Sequence, residues 1–441
     1  MAQRTMLRAA ALLGALSVVV AGCGSGGDGG SGDGGSASGG GGAAATDCEP
    51  PQARPSGSPS TDPLTIGSLL PETGSLAILG PPEFAGVDLA IADVNATGGV
   101  LGAPVNYLRG DSGDDTTDTA NQTVDRHLGA GAQAIVGAAA SGVTKLVIDK
   151  ITGAGAVQFS PANTSDEFTC WEDEGLYFRT APPDVLQAQA LAEVMASDGA
   201  QRISLLARND SYGTGLADNT EQNLLDAGIP QDQLQKIVYD PNAASFNAEV
   251  DMIREFNPDA IAVIGFDESK KILSRMSELQ IGPGEKLVYG TDGNMGNALG
   301  VGFPPGLLDG MKGTLPLTEL SGDFRQRLLA VDPALVDFNY SAEAYDAVML
   351  LALAAEQVDS TKGVDIASAI NSVTQEGEKC SDFAACKVIL DTGGDVDYDG
   401  VTGTLDFTAA GEPGSGSYGI QTFNAQNQID DAATRYVTVG R

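Results

Sequence analysis

A hydrolytic triad needs a histidine, and the chain has one, His127, in a stretch whose apolar spacing predicts an amphipathic helix beside Leu128. A structural or solvated role is expected for it. No G-x-S-x-G elbow offers a nucleophile. The G-x-G-x-x-G at Gly22 to Gly27 lies in a glycine tract, not between a strand and a helix, so it carries no dinucleotide chemistry. Walker-type phosphate loops are absent from the sequence. In "DVDYDGVTGTLD", Asp395, Asp397, Asp399, Gly400 and Asp406 follow calcium-loop spacing. Position twelve is Asp where the motif uses a bidentate Glu, and the flanks read as strand or turn. An acidic turn feeding a strand is the expectation, with no metal and no cofactor. What remains is a binding chemistry. Ser141 and Thr164, each at or near a helix start, can present hydroxyl and backbone N–H donors to a carboxylate. Asp292, just past a buried strand, is a counter-charge for an ammonium group. Tyr212 and Phe266 offer flat apolar walls. Together these form a clamp for a zwitterion. The other acids of these loops, Asp210, Asp267 and Glu268, are expected to be solvated or hinge-side.

The elements that must position these groups alternate. "LTIGSLL" reads as a strand, and "PPEFAGVDLAIADVNATGG" as a helix with Pro81 and Pro82 in its first turn and Gly98-Gly99 at its end. "PVNYLRGD", "AIVGA" and "AVQFSP" are further strands separated by helical patterns. After "YFRTAPPD" the alternation resumes: a helix over 185–197, strand "RISLLARND", a helix over 214–227 and strand "KIVYD". A helix over 248–256, strand "DAIAVIGFD", a helix over 269–279 and strand "KLVYGTD" follow. Strand–helix alternation at this spacing predicts parallel sheets covered on both faces, here as two doubly wound Rossmann-like lobes dividing near Ala181. Ligands in such folds bind beyond the carboxyl ends of the strands, where the candidate residues fall.

The N-terminus reads as an export signal. Arg4 and Arg8 precede the apolar run Ala9 to Val20, which is shorter than the roughly 20 residues a membrane-spanning helix needs. Val20-Ala21-Gly22-Cys23 resembles the lipobox of bacterial lipoproteins, which implies that Cys23 is lipidated. Gly24 to Asp62, rich in Gly, Ser, Pro and Ala, is expected to be a disordered leash. A formal net charge of −35 over 441 residues excludes nucleic acid as a partner. Four further cysteines, Cys48, Cys170, Cys380 and Cys386, favour disulfides in an exported chain and allow three pairings. A local Cys380–Cys386 bridge is expected, with Cys48–Cys170 by elimination. Bridged Cα atoms lie within about 7 Å, whereas six residues of helix rise about 9 Å. "CSDFAAC" must therefore turn.

From Leu64 nearly to the C-terminus the chain resembles the extracellular substrate-binding lipoproteins of ABC transporters for leucine, isoleucine and valine, and their relatives for other amino acids and amides. The likeness rests on "PETGSLAILGPPEFAGVDLAIADVNATGGVLG", "IVGAAASGVT", "SPANTSDEFT", "RNDSYGTGL" and "YGTDG". It implies the type I periplasmic-binding-protein fold, two α/β lobes joined by a three-strand hinge and closing on ligand without covalent chemistry. The implied organisation is a signal peptide over 1–22 and a lipidated, disordered linker over 23–62. A first lobe follows over 63–181 and 315–388, and a second over 182–314 and 389–441. Ser141, Ala162 and Thr164 match the family's carboxylate contacts, Tyr212 and Phe266 its aromatic positions, and Asp292 its ammonium acceptor. The family often has a longer Glu at Asp292 and a tyrosine at Leu79. The leash and "CSDFAAC" resemble those of actinobacterial members. The resemblance implies a monomeric receptor, anchored by lipid on the extracellular face of the cell membrane, that passes an amino acid or similar small solute to an ABC permease. A sensor signalling through a membrane partner, or a receptor for an amide, urea or small carboxylate, is the alternative.

Overall fold

The computed structural model describes residues Glu49–Gly440. The leader, Cys23 and Cys48 lie outside the described residues. The first sheet is built from β1 (Thr65–Leu69), β2 (Asn106–Leu108), β3 (Ala134–Gly137), β4 (Val157–Ser160) and β5 (Tyr177–Arg179). All pair in parallel in the order β2-β1-β3-β4-β5. Crossing helices α1 (Gly80–Ala96), α2 (Thr119–Gly129) and α3 (Ser141–Gly153) cover it.

The chain then enters the second lobe through α4 (Asp184–Ser197), β6 (Ile203–Arg208), α5 (Ser211–Asp226) and β7 (Leu234–Tyr239). It continues through α6 (Asn247–Phe256), β8 (Ala260–Ile264), α7 (Ser269–Glu278), β9 (Leu287–Gly290) and β10 (Lys312–Pro316). A return to the first lobe supplies α8 (Gly322–Val331), α9 (Ser341–Gln357) and α10 (Gly363–Ile370). After β11 (Glu378–Cys380), α11 (Phe383–Asp391), β12 (Val396–Gly400) and β13 (Gly403–Thr404), the chain crosses a third time to β14 (Ser415–Thr422) and β15 (Arg435–Gly440). The second sheet runs β15-β14-β10-β9-β8-β6-β7, with β14 and β15 antiparallel at one side.

These are two α/β lobes of the expected fold, joined at a hinge. Each sheet reverses its strand order once, between β1 and β3 and between β6 and β8, which is where open α/β sheets open a binding crevice. The strands bury both faces; every residue of β1, β3, β4, β6 and β8 is buried. That pattern follows from their continuous apolar runs, since a parallel sheet has no solvated face.

Two expectations are corrected. The boundary at 389 falls too early. Val396, Tyr398, Leu405 and Phe407 share one core with α1 and α9 of the first lobe, and the chain rejoins the second sheet only at Ser415. Tyr398 anchors this stretch by donating from its hydroxyl to the buried Asp346 of α9 at 2.8 Å. The linker expected to be disordered to Asp62 is ordered from Glu49. Its prolines favour an extended chain, and its polar groups find partners along the first lobe. Gln52 donates to the Ala409 carbonyl at 2.8 Å, Ser56 N–H to Asp365 at 2.5 Å, and Thr361 N–H to the Ser60 carbonyl at 2.8 Å. Gly175 (φ +74°) lets this strap lie close, since a Cβ there would stand 2.2 Å from the Ala53 nitrogen.

Cys380 and Cys386 form a disulfide with Cα atoms 5.3 Å apart, the chain turning between the end of β11 and α11. Cys170 is disulfide-bonded. Among the described residues no helix is long and apolar enough to cross a membrane.

Candidate functional site

Between the lobes lies a narrow cleft. The first lobe lines it from three strand ends: Leu76 and Leu79 after β1, Ala139, Ala140 and Ser141 after β3, and Ala162 and Thr164 after β4. The second lobe contributes Tyr212 at the start of α5, Phe266 after β8, and Asp292 and Gly293 after β9. All seven ligand-binding candidates from the sequence therefore meet on one cavity.

The two ends of the cavity differ in chemistry. At one end α3 begins, and its first turn leaves backbone N–H groups without intrahelical acceptors. Beside it, the Thr164 N–H has no partner among the described residues, and the Thr164 hydroxyl has only the buried Asp184 carboxyl near it. The Ser141 hydroxyl behaves differently from expectation. It donates to Asn163 Oδ1 at 2.6 Å, and the Asn163 amide in turn donates to the Tyr177 hydroxyl at 2.7 Å. At this end the free donors are thus the Thr164 hydroxyl and backbone amides, a set that suits an anion.

At the other end stands Asp292, 4 % exposed. Its Oδ1 accepts from the Tyr212 hydroxyl at 2.7 Å and its Oδ2 from the Tyr340 hydroxyl at 2.8 Å. Burial raises its carboxyl above the ordinary range, and the two tyrosine hydrogen bonds pull it back down. Deeper in, Asp184 is fully buried, with the Thr164 hydroxyl beside it. Burial, followed by the charges of Asp166 and Asp292, pushes it well above the usual carboxylate range.

The aromatic wall is supported from behind. Tyr212 and Phe266 stack with centroids 5.4 Å apart, and the Arg208 guanidinium lies 3.6 Å from the other face of Phe266. Arg208 pairs with Asp210 at 2.6 Å and Glu268 at 2.9 Å, all three being buried. Asp210 and Glu268 are therefore not solvated: each is desolvated because a buried guanidinium compensates it. Asp267 is exposed and pairs with Lys270 at 2.8 Å. Leu76, Tyr340, Asp184 and Arg208 were missed from the sequence. Tyr340 had the best signal, an aromatic hydroxyl just before the apolar helix "SAEAYDAVMLLALAAE".

The other candidates lie elsewhere. His127 is fully buried in the first lobe, its Nε2 2.9 Å from the Ser68 carbonyl, and burial lowers its pKa. Asp397 and Asp399 share the Lys379 ammonium at 3.0 and 2.9 Å, an ion pair across β11 and β12. No group of three or more His, Cys, Asp or Glu side chains is arranged to hold a metal among the described residues.

With this geometry in place, comparison with known proteins is informative. The family model described as periplasmic binding protein matches residues 63–422. A chemotactic signal transduction system substrate-binding protein, BasB of Halobacterium salinarum, is 28 % identical over 369 residues, 80 % of this chain and 86 % of that protein. The Leu/Ile/Val-binding protein homolog 3 of Brucella melitensis is 26 % identical over 52 % of this chain and 61 % of its own length. Among solved structures, the branched-chain amino acid transporter substrate-binding protein LivJ of Streptococcus pneumoniae, in complex with isoleucine, aligns with TM-score 0.70 at 22 % identity. That match covers 86 % of this chain and all of that one.

Proposed function

Because the chain belongs to the periplasmic binding-protein family, whose members bind solutes without transforming them, we propose that it captures a small amino acid as a zwitterion. Closure of the lobes then presents the loaded protein to an ABC permease in the membrane. The observation that carries the reading is the polarity of the cavity. Neutral donors, the Thr164 hydroxyl and amide among them, stand in the first lobe, and the Asp292 carboxylate stands in the second. A zwitterion stripped of water needs both kinds of partner, and the ammonium gains most from a full negative charge. Since ligand touches both lobes, it binds the closed state better than the open one and shifts the population toward it. The leucines and alanines of the first lobe fit an aliphatic side chain. A thermal-shift screen over amino acids, amides and small carboxylates identifies the ligand. Asp292→Ala should then weaken an ammonium-bearing ligand about 30-fold or more, since truncating one member of a buried ion pair costs about 2–5 kcal/mol. Near-equal affinities for wild type and variant would remove the amino-acid reading and leave a receptor for an amide, urea or carboxylate.

The N-terminal motif supports a lipid anchor on Cys23 at the outer face of a bacterial cell membrane. Release of the Cys23→Ala protein into the medium is the expected outcome; a mature, membrane-bound variant would refute it. A role in sensing is the second reading, favoured by the name of the Halobacterium relative.

A further inference from the structure

We propose that Arg179, buried at the hinge, is a positioning residue for carboxylate recognition: it holds the Asn163–Ser165 loop with its donor edge toward the cavity, and Glu412 holds Arg179. This rests on the amino-acid reading above and adds to it two residues that do not line the cavity.

Arg179 closes β5, immediately before the first crossover, and is completely buried. Its Nη1 donates to the carbonyls of Asn163 at 3.3 Å and Ser165 at 2.8 Å. The Thr164 carbonyl between them accepts from the Asp184 N–H at 2.7 Å. Three successive carbonyls are thus drawn to the hinge side. Across a planar trans peptide, the N–H points opposite to the C=O. Anchoring the Asn163 carbonyl therefore turns the Thr164 N–H away from the hinge. That N–H has no partner among the described residues, and Thr164 lines the cavity. Unpaired buried donors are costly. The loop is held in a shape whose donors are satisfied by an anion.

Glu412 supplies the other half. It lies on the third crossover, between β13 and β14, and is itself buried. Arg179 Nε and Nη2 both donate to Glu412 Oε2, at 2.8 and 2.5 Å. Thr169 Oγ1 accepts from Nη2 at 3.1 Å and its hydroxyl donates to Glu412 Oε1 at 3.1 Å. The Arg179 N–H also donates to the Gly411 carbonyl at 3.0 Å. One guanidinium therefore ties the Asn163–Ser165 loop to the third crossover between the lobes. A lysine cannot reproduce this forked geometry.

The test compares wild type with Glu412→Gln, which keeps shape and an acceptor but removes the charge that holds Arg179. In the ligand-free protein, amide hydrogen exchange over residues 161–166 should accelerate about tenfold or more, with β8 unchanged. Unchanged exchange in that loop would overturn the proposal. In titrations with L-isoleucine and L-isoleucinamide, the preference for the carboxylate form should fall about tenfold, the worth of one hydrogen bond to a charged group. Equal weakening toward both compounds would reduce Arg179 to a purely structural role and overturn the proposal as well. If wild type binds neither compound, isoleucine is not the ligand and the exchange result alone decides this inference. Should Glu412→Gln fail to fold, Thr169→Val, which removes one bridging hydroxyl, carries the same two readouts.

Discussion

Tyr340, at the start of α9 in the first lobe, donates its hydroxyl to Asp292 Oδ2 in the second lobe at 2.8 Å. Its backbone is left-handed, with φ 58°, an uncommon conformation for a bulky residue outside a functional site. Asp292 is therefore gripped from both lobes, by Tyr212 on one oxygen and Tyr340 on the other. Both hydrogen bonds favour the carboxylate over the acid. Removing one should raise the Asp292 pKa further, and an ammonium ligand is lost as pH falls through that pKa. Tyr340→Phe should weaken an amino-acid ligand about tenfold at neutral pH, the worth of one charged hydrogen bond, and move the acid limb of the affinity profile to higher pH. Calorimetric titrations from pH 5 to pH 8 check this; an unshifted acid limb would show that Tyr340 does not control Asp292.

Glu343, in the first turn of α9, is pushed up to about 8 by burial. Its neighbour Glu83, in α1, is raised well above its usual value by burial and then by Glu343. Folded Glu343 keeps its proton to about pH 8, whereas the unfolded chain releases it near the ordinary 4.5. The folded state thus binds more protons over that window, and stability falls as pH rises through it. Glu343→Gln should flatten the slope, adding on the order of a few kcal/mol at pH 8 and little at pH 5. Urea unfolding at the two pH values measures it, and equal shifts at both would refute the assignment.

The Cys380–Cys386 bridge closes a short loop between β11 and α11. Chain-entropy arguments give a loop of this size about 2 kcal/mol of stabilisation. Paired serine substitutions should lower stability by about that amount while leaving ligand affinity unchanged, because the bridge packs in the first-lobe core away from the cavity. A large loss of affinity would show that this segment communicates with the cleft.

The alternation of apolar runs and amphipathic stretches made the two lobes legible, because a strand buried on both faces must be apolar throughout. The strand-end rule then placed Ser141, Thr164, Tyr212, Phe266 and Asp292 near one another before any contact was known. What escaped the sequence depended on distant partners. Arg208 and Glu268 are 60 residues apart, and Arg179 and Glu412 are 233 apart. A charged residue in a loop reads as solvated until its counter-charge is located. The strap from Glu49 escaped for a related reason: composition measures the capacity to form a core, and this segment needs none. It borrows acceptors and donors from Asp365, Ser360 and Thr361.

Arg208 offers the sharpest test of how the aromatic wall is held. Its guanidinium covers Phe266 while pairing with Asp210 and Glu268. Asp210 Oδ1 caps α5 through the Gly213 N–H at 2.7 Å, and α5 carries Tyr212. Glu268 Oε1 accepts from the Phe266 N–H at 3.0 Å and from the Tyr239 hydroxyl at 2.9 Å. One cation therefore supports both rings of the stack, through a helix cap on one side and a backbone amide on the other. Arg208→Met keeps the length and loses the charge, leaving two buried carboxylates uncompensated. Breaking a buried pair in this way costs about 3–5 kcal/mol. The cost should depend on pH. Burial raises the Asp210 carboxyl and the Arg208 charge lowers it, so without Arg208 Asp210 holds its proton more firmly in the folded state than in the unfolded chain, and stability falls as pH rises. The variant should be closer to wild type at pH 5 than at pH 8, and adding Glu268→Gln should recover part of the loss at pH 8. Thermal unfolding at both pH values, with and without ligand, reads the effect. A deficit equal at pH 5 and pH 8, and unrelieved by Glu268→Gln, would mean that ring stacking rather than charge compensation holds the wall.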